Sequence, residues 1–496
     1  MRRNILEYLE EAALRWPGRV AVASREEHMT FGALRETARS VGTFLLGHGH
    51  ERQRVAVLME RSPRALAAFL GVVSAVGCFA DLDTGMPEAR LKGILDTLKP
   101  GAILCEENSR GKAEGIAQGC PVYTYGPASS APGDAEALEQ AMGRALDTDP
   151  MYVVFTSGST GTPKGVVGCH RAVIDYMEGL CAVLPFDADT VFGSQSPLYF
   201  DAWFKEFFPA LKLGARMELL PRELFCAPVR LVEYLNQRKI NTLCWVAPAL
   251  TLVSYPGTFA RVRPEYLRCV AFASEPLPPG ELKRWREAAP GVRFFNLYGP
   301  TETTGICCYY EVNRDFSPGE AIPIGAPLPN TEVFLLDEKD CPPAPGEPGE
   351  ICIRGSRLTL GYCGEEQGGF VRNPLQTLYP DRIYRTGDLG RYNDRGELQF
   401  LGRKDGQIKH MGRRIELGEI EAAAMAQGQV SAACCVYDPE RGRLTLYYTG
   451  EAEAGTLREA LKKKLPRYML PREIRRLETM PRTENGKIAR KLLGEA

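Results

Sequence analysis

"YVVFTSGSTGTPKGV" (residues 152–166) is an apolar run that breaks into a loop of glycines, hydroxyls and a single lysine. The loop itself, "TSGSTGTPKG" (156–165), is a poor helix and a poor strand, because glycine and proline weaken both. A glycine-rich loop leaving a strand presents consecutive backbone N–H groups that can cradle phosphate oxygens. Thr156, Ser157, Gly158, Ser159, Thr160 and Gly161 supply small or hydroxyl-bearing positions, and Lys164 adds a point charge. The Walker pattern needs GxxxxGK followed by Ser or Thr, whereas Lys164 is followed by Gly165 and the glycine spacing differs. Taken alone, the segment is either a phosphate loop of another kind or a flexible linker.

On either side of the loop, strand-like runs alternate with helical ones: "RVAVLM" (54–59) then "PRALAAFLGVV" (63–73), "NTLCWVAP" (241–248), "YLRCVAFAS" (266–274) then "PGELKRWREAA" (279–289), and "VRFFNLYG" (292–299). That repetition predicts an α/β sheet architecture. From about residue 322 the texture changes, and "TEVFLLDEKDCPPAPGEPGEICIRG" (331–355) reads as strands joined by a Pro/Gly turn, so a β-rich subdomain is expected. The last ninety or so residues suffice for a small α+β unit. The expected fold class is therefore α/β: a large N-terminal domain of α/β sheets with a β-rich subdomain, and a small C-terminal α+β domain.

At 496 residues, two or three units are the natural organisation. Net charge is −1, from 61 basic and 62 acidic residues, which points to neither nucleic acid nor an anionic membrane. "MRRNILEYLEEAALRWP" (1–17) reads as an amphipathic helix stopped at Pro17, with no signal-peptide core. "ALAAFLGVVSAVGCFA" (65–80) is 16 residues, short of the ~20 a membrane span needs, and is expected to be a buried helix. Fifteen cysteines lie scattered without metal-ligand spacing, which fits reduced thiols and a cytoplasmic location. His170 is assigned to packing or hydrogen bonding, and His28, His48, His50 and His410 to the surface.

The opening loop closely resembles the signature loop of the adenylate-forming superfamily, in particular the adenylation domains of nonribosomal peptide synthetases. Further matching segments follow in order: "NLYGPTETT" (296–304), "GEICIRG" (349–355), "YRTGDLG" (384–390), "GRKDGQIKHMGRRIELGEIE" (402–421) and "PRTENGKIARKLL" (481–493). The resemblance implies a two-step reaction. A carboxylate attacks the α-phosphate of ATP, releasing pyrophosphate, and a thiol then takes the acyl group. It implies an N-terminal core over 1–404, and over 405–496 a mobile domain that carries the catalytic lysine and hinges near Asp405.

By the same resemblance, residues 156–161 and Lys164 would cover the β- and γ-phosphates. Glu302 would hold Mg²⁺ and Thr301 would reach the α-phosphate. Tyr298 would stack on adenine, Asp388 would bind the ribose hydroxyls, and Arg403 would lie near the ribose or phosphate. Lys487 would bridge carboxylate and ATP in the first step and leave the site in the second, when the "HMGRRIELGE" segment replaces it. On the residues alone, "YGPTE" is equally a Gly-Pro turn opening a helix, and Lys487 belongs to a basic face with Arg482, Arg490 and Lys491.

"YFDAWFKEFFPAL" (199–211) resembles the segment that carries an acid for the α-ammonium of an amino acid. Asp201 would be that acid and Phe200 a gate beside the thiol tunnel; the competing reading is an acidic N-cap before an aromatic core helix. Motif alignment carries the specificity pocket onto Asp201, Ala202, Lys205, Trp245, Ala271, Ala273, Leu297, Gly305, Ile306 and Lys487. A buried lysine needs a partner, so Lys205 suits a glutamate-like side chain; otherwise it reaches water or pairs with Glu206. Ala273 stands where the family commonly has glycine. No carrier segment follows Lys487, so a freestanding enzyme is expected, similar to aminoacyl- and D-alanine–carrier protein ligases, using ATP and Mg²⁺ and loading a phosphopantetheinylated carrier protein in trans. The alternative is an acyl- or aryl-CoA ligase of the same superfamily.

Overall fold

The computed structural model describes residues 2–158, 163–254, 257–364, 368–405, 407–439, 441–482 and 488–494. Ser159, Thr160, Gly161 and Lys487 lie outside the described residues.

Two twisted sheets dominate. One has nine strands, with Arg293–Tyr298, Cys269–Ala273, Thr242–Val246, Val191–Ser194, Arg216–Leu219 and Val20–Ala23 running parallel in that order, and Cys308–Glu311 and His28–Thr30 antiparallel to its flanks. The other has seven strands and contains the apolar run that leads into the glycine-rich loop. Pro150–Thr156 pairs antiparallel with Lys164–Cys169 on one side and parallel with Cys78–Asp81 on the other. Helices Pro63–Ser74, His170–Val183 and Phe204–Leu213 lie in the core shared by both sheets, where Phe69, Tyr176, Trp203 and Phe207 meet Tyr152 and Phe295.

The helix starts obey local rules. Ser62 accepts from the Ala65 amide ahead of Pro63 in the first turn, and Thr30 does the same for Ala33. The run 65–80 is not one helix. It splits into the buried helix Pro63–Ser74 and the strand Cys78–Asp81. Val76 turns the chain at φ 56°, and Gly77 follows where a Cβ would sit 2.9 Å from two carbonyl oxygens. His50 is also buried rather than on the surface, its Nε2 3.1 Å from the Tyr123 hydroxyl. His170 is buried, and its Nδ1 accepts from the Ile5 amide.

Beyond residue 330, Thr331–Leu336, Gly349–Gly355, Arg382–Tyr392, Phe370–Arg372 and Leu398–Arg403 form an antiparallel five-stranded sheet. The C-terminal part has a ribbon, Gln407–His410 with Arg413–Glu416, and a three-stranded sheet, Val430–Asp438, Arg443–Gly450 and Glu473–Arg476. Helices Leu417–Met425 and Ala454–Lys464 cover it over a separate core of Ile420, Leu446, Tyr448 and Leu461. The fold is the mixed α/β arrangement expected, a large N-terminal part and a small C-terminal one.

Candidate active site

Parallel sheets place binding groups beyond the C-terminal ends of their strands. Here four neighbouring strands deliver Gln195 and Ser196, Pro248 and Ala249, Ser274, and Gly299 to Thr301 to one place, and the other sheet brings Thr156 and Ser157. Together they line a cavity of about 310 Å³ closed from the C-terminal side by Lys409, Met411, Gly412, Arg413, Arg414 and Tyr468.

At one end lie Phe200, Asp201, Ala202, Lys205, Ala273, Gly305 and Ile306, all lining the cavity. Asp201 begins a 3-10 turn, Asp201–Trp203, ahead of the aromatic helix, and it makes no capping hydrogen bond. One of its carboxylate oxygens is screened from solvent and has no hydrogen-bond partner among the described residues. Burial raises its carboxyl above the usual range, against the opposing pull of Thr301 and Lys205. Lys205 is 2% exposed and donates to the Ala202 carbonyl at 2.7 Å, which leaves two of its three N–H bonds for other partners.

Trp245, Ala271 and Leu297 do not line the cavity. The Trp245 indole is buried in the core, donates to the Gly193 carbonyl at 2.6 Å and packs on Phe225, so Phe225 and Val246 form the wall in its place. Ala271 and Leu297 are buried in the sheet.

The other end is polar. Asp388 and Arg403 line it, whereas Tyr298 is buried and does not line the cavity; its hydroxyl donates to Asp388 at 2.6 Å. Arg403 donates to the second Asp388 oxygen at 2.6 Å and grips Asp405 through two bonds of 2.7 Å. The expected hinge residue is thereby tied to the expected ribose-binding acid. Thr301 lines the cavity, and Lys164 begins its strand with its ammonium 5.8 Å from the Tyr362 ring centre.

Glu302 is fully buried, and its carboxylate accepts from Tyr362 at 2.8 Å and from Arg414. Burial would raise its carboxyl, but the facing Arg414 and Tyr362 more than offset this and hold it below the usual carboxylate range. A hard-oxygen group suits a divalent cation, yet in this arrangement Arg414 holds the cation position. Among the described residues no group of three His, Cys, Asp or Glu side chains is placed to hold a metal. Glu302 could therefore contribute one ligand to a Mg²⁺ ion that arrives on phosphate oxygens, once Arg414 withdraws.

The ribbon 407–416 enters the site as a wedge. The Arg414 carbonyl accepts from the Ser157 hydroxyl at 3.0 Å, and that hydroxyl accepts from the Glu416 amide at 3.1 Å. The Gly412 amide donates to Glu275, and the Lys409 ammonium lies 5.9 Å from the Tyr298 ring centre. Arg413 lies against the rings of Tyr468 and Phe200, at 4.4 and 5.5 Å from their centres, and Arg90 pairs with Glu419 across the same boundary. Arg482 and Ile488, which bracket the segment containing Lys487, form a β-bridge, and Ile488 packs on Cys434, Tyr447 and Met480 rather than lining the cavity.

The motif over 402–421 marks this ribbon in the sequence without giving Lys409, Gly412 or Arg414 individual roles, and no motif marks Gln195 and Ser196. The signal for the latter pair is a polar "SQS" directly after a buried parallel strand.

The chain belongs to the AMP-binding enzyme family, whose profile matches residues 9–363, with the AMP-binding enzyme C-terminal domain over 419–487. It is 31% identical to tyrocidine synthase 3 of Brevibacillus parabrevis over 99% of its own length and 8% of that protein's. It is 30% identical to tyrocidine synthase 1 of the same organism, again over 99% of this chain and 45% of the relative. The chain thus spans less than half the length of these relatives. Holo-PA1221, described as an NRPS protein containing adenylation and PCP domains, superposes with a TM-score of 0.85 at 26% identity, covering 99% of this chain and 84% of that one. Membership of the adenylate-forming superfamily follows, and peptide-synthetase proteins are among the chain's homologues.

Proposed function

We propose that this chain activates an amino acid with ATP as the aminoacyl-adenylate, releasing pyrophosphate, and passes it to the phosphopantetheine thiol of a carrier protein. The observation that carries the amino-acid half is Asp201, a carboxylate with an unpartnered oxygen at the cavity wall, which an α-ammonium would satisfy. Lys205, with two N–H bonds to spare beside it, favours an acidic, glutamate-like side chain.

In the first step Lys487 would neutralise charge as carboxylate oxygen attacks the α-phosphate, with Thr301 and Lys164 assisting. Glu302 would hold Mg²⁺, which supplies charge neutralisation on the departing phosphates. Tyr298 and Asp388 would receive adenine and ribose. In the second step the ribbon 407–416 occupies the phosphate side, and the thiol enters past Phe200. The test is amino-acid-dependent ATP–pyrophosphate exchange over a panel of L- and D-amino acids, aryl acids and fatty acids. Exchange with an acidic amino acid supports the whole reading. Exchange with a neutral amino acid retains the enzyme class and discards the role of Lys205, and exchange only with acids lacking an amine overturns the amino-acid assignment.

A further inference from the structure

Arg414 reaches the fully buried Glu302 from the C-terminal part. On the proposed function the ribbon is withdrawn in the first step, and that counter-charge leaves with it. A buried carboxylate without donors is destabilising, and a metal ligand needs neighbours that fix its orientation. Glu302 therefore needs a partner that does not belong to the ribbon.

Tyr362 is such a partner. Its hydroxyl donates to Glu302 Oε1 at 2.8 Å, whereas Arg414 contacts both oxygens, Oε1 at 2.9 Å and Oε2 at 3.1 Å. Tyr362 lies on the short strand Gly361–Tyr362, which pairs antiparallel with Val166 and Val167, just beyond Lys164. Backbone bonds fix this strand to both sides of the phosphate end. The Leu360 and Cys363 amides donate to the Val167 and Gly165 carbonyls at 2.8 Å, and the Thr359 amide donates to the Glu302 carbonyl at 2.9 Å. The ring itself is confined: Phe370 meets it edge-on with 5.8 Å between centres, and a side chain at Gly368 would collide with it. The Lys164 ammonium lies 5.8 Å from the ring centre. One phenol thus spans from the lysine of the phosphate loop to the acid expected to hold the metal.

We propose that Tyr362 is a positioning residue for the first step, whose hydroxyl holds Glu302 by Oε1 once Arg414 has withdrawn and leaves Oε2 to the Mg²⁺ that comes with ATP. The inference rests on the reading of Glu302 as a metal ligand above. A neutral donor suits this task. A second cation would oppose the metal, as Arg414 does while the ribbon is inserted. A phenol orients the carboxylate and leaves its charge in place.

The test measures calorimetric binding of α,β-methylene-ATP, which cannot release pyrophosphate, to the full chain and to Tyr362→Phe, with Mn²⁺ and with EDTA. The gain in affinity that Mn²⁺ confers reads the contact with Glu302. Expected is a gain smaller by about tenfold or more in the variant, the size of one hydrogen bond to a charged group, with the metal-free affinity unchanged. In ATP–pyrophosphate exchange the half-saturating Mg²⁺ concentration should rise by a similar factor, while the rate at saturating Mg²⁺ stays within a few-fold. Transfer from a synthetic aminoacyl-adenylate to the carrier thiol, during which Arg414 holds Glu302, should also stay within a few-fold. A tyrosine that merely stabilises the fold would lower metal-free binding and transfer as well, and that result overturns the proposal. An unchanged Mn²⁺ gain in the variant also overturns it, while leaving the role of Glu302 standing. Where Tyr362→Phe fails to fold, Tyr362→Met removes the hydroxyl with a more adaptable side chain and is read in the same way. No Mn²⁺ gain in the unaltered chain, or one that Glu302→Gln does not reduce, overturns the reading of Glu302 and this inference with it.

Discussion

Arg414 donates through one guanidinium nitrogen to both carboxylate oxygens of Glu302, at 2.9 and 3.1 Å, from the opposite side of the boundary between the N- and C-terminal parts. The same ribbon occupies Ser157 through its backbone. A Mg²⁺ ion on Glu302 and pyrophosphate under the loop beginning at Thr156 would need these same atoms. The arrangement with the ribbon inserted and a metal–pyrophosphate complex therefore exclude one another, and on the proposed function this arrangement belongs to the step after pyrophosphate has left.

Replacing Arg414 by Met should separate the two half-reactions. Without the guanidinium, insertion of the ribbon would leave the buried Glu302 with the Tyr362 hydroxyl but no counter-charge. Removing one partner of a buried pair costs about 3–5 kcal/mol, and the lower end applies because the Arg414 side chain is 24% exposed. At about 1.4 kcal/mol per decade, thiol loading should fall roughly a hundredfold. ATP–pyrophosphate exchange should stay within a few-fold, because the first step does not use this contact. Equal losses in both assays would remove Arg414 from the proposed closing step.

Gly412 allows a sharper steric test of the same insertion. Its φ is 76°, and a Cβ there would lie 2.5 Å from Cγ1 and 2.8 Å from Cβ of Val246, across the boundary. Gly412→Ala should therefore impair loading and spare exchange. Adding Val246→Ala removes the closest atom and should restore part of the loss, the remainder reflecting the Cβ that stays 2.8 Å away and the left-handed backbone, the latter costing about 1 kcal/mol. If the pair of substitutions loads no better than Gly412→Ala alone, the Val246 contact is not what limits insertion.

The α/β alternation, the β-rich subdomain and the small C-terminal unit are legible in the sequence because strand-length apolar runs and turn residues mark them directly. Asp201, Lys205 and Ala273 are legible because each sits within a few residues of a quotable motif. Trp245 is misplaced because alignment gives a position along a strand but not the face to which the side chain turns. In a strand buried on both faces the pattern carries no such signal. Arg414 and Glu302 lie 112 residues apart, and local sequence cannot show that one domain's arginine closes on another's carboxylate. Glu206 reads from the sequence only as a neighbour that could pair with Lys205, since its complete burial depends on strands far away in the chain.

Asp201→Asn should give activity and stability effects of opposite sign. A carboxyl whose folded value is raised is costly to keep ionised at neutral pH. That cost is absent below the ordinary carboxylate range, where both states are protonated, grows as pH rises from there to the raised value, and is constant above it. A neutral amide of the same shape relieves it, so the melting temperature near pH 7 should rise by about 1–3 °C. Exchange with amino acids should drop by about two orders of magnitude or more, as the ammonium loses its counter-charge (~3 kcal/mol). A fall in melting temperature would indicate that Asp201 is instead a structural partner of Lys205.

Lys487→Ala should give the mirror image of Arg414→Met. Arg482 and Ile488, on either side of this lysine, pair with each other, Ile488 packs on the C-terminal sheet, and neither lines the cavity while the ribbon is inserted. On the proposed function the lysine's charge acts in the first step. Removing one group that stabilises transition-state charge commonly costs about 10²–10³ in rate, and ATP–pyrophosphate exchange should fall by that factor with ATP binding largely retained. Transfer from a synthetic aminoacyl-adenylate to the carrier thiol bypasses the first step and should proceed at close to the unaltered rate. In Arg414→Met the same bypass should fail. Loss of the bypass transfer in Lys487→Ala as well would mean that one arrangement serves both steps, and the proposed alternation would have to be abandoned.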